Sequence, residues 1–183
     1  MSQASPAIEE DGGIPWKDDS KLHIVIRINL ARRNLIIVSD MAHTRLDAYR
    51  CGLMGNDFVN ESRATALDYK DAWHDGRIQR HLDAHPSSKQ LDDLLQQVCL
   101  QLDEAHREVH RLMMRKLFDL HTLQLVRDGL KRVMDLEVEV GECMSMNILG
   151  KKGSAPVSRI RILVRNIYLS TCGMVKEVDA TGK

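Results

Sequence analysis

The chain has 183 residues, 43% hydrophobic, 4% aromatic and 28% charged, with 26 basic residues balancing 26 acidic ones. That length allows one domain with a core of its own and excludes two large ones, and so few aromatics leave the core to Leu, Ile, Val and Met. A formal net charge of zero excludes a bulk pull toward nucleic acid or membrane, so any such affinity has to come from a local patch.

Cys51, Cys99, Cys143 and Cys172 are widely spaced and never form a C-x-x-C pair, so neither a zinc knuckle nor a compact disulfide framework is legible. Free thiols in a reducing cytoplasm are the expectation. No apolar run approaches the roughly 18 residues of a membrane helix, and no basic-then-apolar signal opens the chain. No membrane association is expected.

Residues 1–19 are polar and Gly- or Pro-containing and read as a mobile leader, with Trp16 the one residue suited to docking. From Leu22 the pattern changes. Leu22, Ile24, Ile26, Ile28 and Leu30 alternate with His23, Arg27 and Asn29, the period-two signature of a half-buried strand. Arg32 and Arg33 then precede the apolar run Leu35, Ile36, Ile37 and Val38, which completes an N-terminal β-hairpin with a basic turn. One long helix over Lys21–Tyr49 is the rival reading, set aside because β-branched residues are dense here.

Asp40 can cap a helix running toward Cys51 and Gly52, less regular helix follows from Asn60 to Gly76, and a short helical piece holds Ile78 and Leu82. Beyond Pro86 comes the clearest pattern in the chain. Leu91, Leu95, Val98, Leu102, Ala105, Val109 and Leu112 are spaced alternately four and three apart, a heptad seam that keeps one stripe of a helix facing a partner. Ser87 and Ser88 are candidate N-caps for this helix. The strict seam stops at Lys116, after which the helix either continues on a shifted face or breaks near Asp119 and restarts. Gly129 weakens the segment that follows by about 1 kcal/mol against Ala.

At Asp135 the period returns to two. Leu136, Val138, Val140, Met144, Met146 and Ile148 share one parity, and Ile160, Ile162, Val164 and Tyr168 share the matching parity beyond a Gly- and Pro-containing loop. These predict a C-terminal β-hairpin, with Glu137 and Glu139 on one strand pairing with arginines on the other. The expected architecture is therefore an α+β domain over 20–172, an antiparallel sheet packed on central helices, with a frayed tail over 173–183.

Candidate chemistry is sparse. His81 and His85, and separately His106 and His110, stand four apart, the spacing that brings two imidazoles within reach of one metal ion on a helix. Asp83, Glu104 and Glu108 are the acidic neighbours available to such a site. Arg32, Arg33, Lys151 and Lys152 at the hairpin tips, with Arg159, Arg161 and Arg165 along a strand, form the candidate phosphate-binding set. Ser39, Asp40 and His43 are close in sequence, but no G-x-S-x-G elbow accompanies them, and Gly150–Ser154 lacks P-loop spacing. No cofactor is expected. The leading expectation is a non-enzymatic interaction or assembly protein, its helix seam facing a protein partner, a second copy or the domain's own core. Nucleic-acid binding through the basic hairpins stands second, and a metal-dependent enzyme third.

Overall fold

The computed structural model describes residues 14–15, 21–58, 76–149 and 157–181. Its long elements are helices: α1 (Leu22–Phe58), α2 (Arg77–Ala84), α3 (Pro86–Arg115), α4 (Leu120–Leu149) and α5 (Arg159–Thr181). Two strands of two residues each, β1 (Ile14–Pro15) and β2 (Leu117–Phe118), pair antiparallel with Ile14 opposite Phe118. Neither expected hairpin forms, and the α+β architecture is corrected to a helical bundle. The segment read as the first hairpin lies wholly within α1, and the two strands of the second belong to α4 and α5. The tail expected to fray from residue 173 is helical to Thr181. The leader over 1–19 lies outside the described residues apart from Ile14 and Pro15.

The misread period has a physical cause. Helix α1 buries Ile24, Ile28, Ala31, Leu35, Val38, Ala42 and Leu46, spaced three or four apart, while Leu22, Ile26, Leu30 and Ile37 lie exposed on the other side. At 100° per residue, positions two apart point about 200° apart. An inner stripe at 24 and 28 interleaved with an outer one at 22, 26 and 30 therefore mimics strand alternation. Both α4 and α5 repeat the effect, burying Val133 and Val140 or Ile160 and Val164 while exposing Val138 or Ile162. The rival long helix was the right reading of residues 22–49.

Helix α3 packs on α1 and α4, and α5 also packs on α1 and α4, so the four long helices close a ring. Cross-helix bonds give their directions. Tyr49 and Arg50 of α1 bond to Ser88 and Asp92 of α3, whereas Ser39 and His43 bond to Asp103, so these helices are antiparallel. Near the start of α1, His23 and Arg27 pair with Glu177 at the end of α5, at 2.6 and 2.7 Å. The result is an up-down-up-down bundle.

The helix ends follow local chemistry. Pro86 stands at the first turn of α3, where its missing N–H costs nothing, and His85 rather than Ser87 or Ser88 is the N-cap. Lys116 takes a left-handed conformation (φ 53°) and its N–H bonds the Leu112 carbonyl at 3.0 Å, ending α3 where the seam stops. Asp119 then caps α4, its carboxylate accepting the backbone N–H groups of His121 and Thr122 at 3.2 Å. Of the two readings at this point, the break is the one that holds. Phe118 turns inward as one of the largest fully buried side chains, closing the floor between α3 and α4. At the other end, α2 buries Ile78 and Leu82 and packs on α3 and α1.

Candidate interaction surface

The seam residues Leu91, Leu95, Val98, Leu102, Ala105, Val109 and Leu112 are all buried in the common core, with Val98 and Leu102 fully inaccessible. The partner that α3 faces is the rest of its own chain, since α1 and α4 supply the opposing side chains. The small Ala105 sits in this core beside larger neighbours.

Two ion pairs run through the interior. Arg50 makes a bidentate pair with Asp92 at 2.8 and 3.0 Å, linking α1 to α3. Glu137, whose side chain is fully buried, receives the Arg45 guanidinium from the diagonal helix at 2.5 and 3.1 Å. The Ser158 hydroxyl also donates to Glu137 while accepting the backbone N–H of Arg161 at 3.0 Å, so the cap of α5 is tied to this pair. Glu137 was expected on an outer face opposite the arginines of a neighbouring strand. Instead it is an inward anchor, and Arg159, Arg161 and Arg165 do not pair with it.

The predicted phosphate-binding set is dispersed. Arg32 and Arg33 sit in mid-α1, Arg33 exposed and Arg32 half-buried facing α3. Arg159, Arg161 and Arg165 lie in the first two turns of α5, and Lys151 and Lys152 fall outside the described residues. Among the described residues no basic hairpin carries them together.

The histidine pairs do not converge either. His81 closes α2, but His85 is the non-helical junction residue, so one helix face does not present both. Their rings stack with centroids 4.2 Å apart, and His85 Nδ1 donates to the His81 carbonyl at 2.8 Å. His106 and His110 do share α3, yet the charge of Arg32 acts on His106 and opposes a cation there. Asp83 and Glu108 are engaged with Gln79 and Arg111 at 2.9 Å each. No cluster of three or more metal-capable side chains gathers among the described residues.

Ser39 and His43 meet through Asp103, whose carboxylate binds the hydroxyl at 2.6 Å and the imidazole at 2.9 Å. A nucleophilic triad needs the imidazole between serine and acid. Here the acid stands between them, so the imidazole is not placed to take the serine proton. The thiol route is equally quiet: burial raises the Cys51 and Cys143 pKa values and pushes that of Cys99 up to about 11, disfavouring thiolate.

His106 does carry a pH consequence. Burial first, and then the charges of Arg32 and His110, lower its pKa below the ordinary histidine value, and its buried Nε2 has no hydrogen-bond partner. The unfolded chain therefore takes up a proton near pH 6.5 that folded His106 resists. Its contribution to stability is complete above that pH, declines as pH falls toward the depressed folded value, and levels off below it. Urea unfolding at pH 7.5 and 5.5 is expected to show a smaller acid loss for His106→Gln than for wild type. An identical loss would assign the sensitivity elsewhere.

What remains is a surface that sequence reasoning missed. Leu22, Ile26, Leu30 and Ile37 of α1 are between 54 and 59% exposed and lie on the side of the helix away from its core stripe. Their spacing of four, four and seven was legible as a second helical stripe, but only once the segment was read as helix. Comparison with protein-family models, curated proteins and solved structures finds no match for this chain. No helix among the described residues is long and apolar enough to cross a membrane.

Proposed function

We propose that this chain is a non-enzymatic interaction protein, an antiparallel helical bundle that presents the outer face of α1 to a protein partner. The observation that carries this reading is the row of four half-exposed Leu and Ile side chains on a helix whose other face already fills the core. From Leu22 to Ile37 the row spans about 23 Å at 1.5 Å per residue, the length over which a partner helix makes four turns of contact. Contiguous apolar surface of this kind is where soluble proteins meet partners. Asn29 and Arg33 interrupt the row and supply polar groups that give such a contact register. The side chains best equipped for catalysis are held in structural pairs, as with Ser39 and His43 on Asp103. The four cysteines are free, which suits a reducing compartment such as the cytoplasm.

Quantitative affinity purification from the native host, comparing wild type with Ile26→Asp/Leu30→Asp, tests the reading. The variant is expected to keep its circular dichroism and lose the captured partner. If the folded variant captures the same proteins in the same amounts, the α1 face is not the docking surface.

A further inference from the structure

The outer surface divides by charge along α4. On its α5 side, an open groove of about 650 Å³ is lined by Val157, Ile162 and Leu169 together with Arg161 and Arg165, with Asp135, shared by the grooves on both sides of α4, its one carboxylate. The first turn of α5 holds no acidic residue, and Arg159, Arg161 and Arg165 have no carboxylate partner among the described residues. Arg159 and Arg161 stand in the first turn of α5, where the helix dipole is already positive, so the positive charges there add to one another. On the α3 side of α4, the groove carries half-exposed Leu100 and Leu125 beside Glu104, Asp128, Asp135 and Glu139. Among the described residues Glu104 and Glu139 have no cation partner, and Arg132 is the one basic side chain lining that groove.

We propose that the α5 ridge of one copy, formed by Ile162, Arg165 and Leu169, seats in the acidic α3–α4 groove of a second copy. Ile162 and Leu169 are about 10 Å apart along the helix, with Arg165 between them, the anchor pattern of a helix laid in a groove. The groove offers matching chemistry, with Leu100 and Leu125 for the apolar anchors and carboxylates for the arginines. A phosphate backbone would satisfy the arginines but leave Ile162 and Leu169 without a counterpart, which favours a second copy over nucleic acid. Ridge and groove are different surfaces of one chain, so each bound copy still offers one of each, and assembly proceeds head to tail into a ring or an open chain. Because the contact does not use the outer face of α1, it stands or falls separately from the partner-docking reading.

Sedimentation of the full chain over a range of concentrations and salt tests the contact. Wild type is expected to form species larger than a monomer that dissociate as salt rises. Arg161→Glu/Arg165→Glu and Glu104→Lys/Glu139→Lys are each expected to be folded monomers, and the chain carrying all four reversals is expected to assemble again. Ile26→Asp/Leu30→Asp is expected to assemble like wild type. A wild type that stays monomeric at low salt overturns the proposal, as does a ridge variant that assembles normally or a folded fourfold variant that does not. Assembly lost only with Ile26→Asp/Leu30→Asp would place self-association on α1 instead. A monomeric wild type that shifts duplex DNA would assign the arginines to phosphate.

Discussion

Arg45→Met is expected to destabilise the fold by about 3–5 kcal/mol, the cost of stranding a buried carboxylate without its cation. Glu137 has no solvent exposure, and after the substitution the Ser158 hydroxyl is its remaining partner. Glu137→Leu is expected to cost less, because the Arg45 side chain is 25% exposed and its guanidinium can turn toward water. The double variant Arg45→Met/Glu137→Leu is expected to recover most of the loss, since a well-packed apolar pair often equals a buried ion pair. Urea unfolding of the four proteins closes the cycle. Equal losses in both single variants, with no recovery in the double, would mean that the two side chains contribute through packing rather than as a charge pair.

The second large effect is in the seam. Leu102→Ala is expected to cost about 2–5 kcal/mol, because the side chain is wholly inside the bundle and leaves a cavity between α3 and its neighbours. Leu100→Ala, two residues away and half exposed on the other side of α3, is expected to change stability by no more than about 0.5 kcal/mol. The contrast separates a core stripe from an interface stripe. Were Leu102→Ala nearly neutral in the monomer and costly only at concentrations where copies associate, the seam would face a second copy rather than α1 and α4.

Parts of the architecture were legible in the residues alone. The helix through Leu91–Leu112 was, because its apolar residues lie on one stripe and polar ones cover the rest. The stop of its seam at Lys116 was visible as a missing seam residue, whereas the break near Asp119 was one of two open readings until Asp119 was seen to cap the next helix. Helices α1, α4 and α5 were not legible in the same way, since each carries apolar residues on an outer face as well as an inner one. Two stripes roughly opposite each other on a helix read as alternation, and the β-branched residues of Leu22–Val38 reinforced the error. The same outer apolar residues that obscured the helices are the ones now proposed as docking surfaces.

Local sequence thus determined where α3 stops and which of its residues turn to a common face, because heptad spacing acts over a few neighbouring residues. Tertiary structure alone decided what that face meets. A seam is equally satisfied by a second chain or by its own, and only the packing of α1 and α4 against α3 made it core. It also decided the fate of the charges. Glu137 and Glu139 look alike in sequence, yet the first is drawn inside by Arg45 from the diagonal helix and the second is left on the surface. Interaction between residues 92 positions apart in the chain depends on helix placement, which no local pattern specifies.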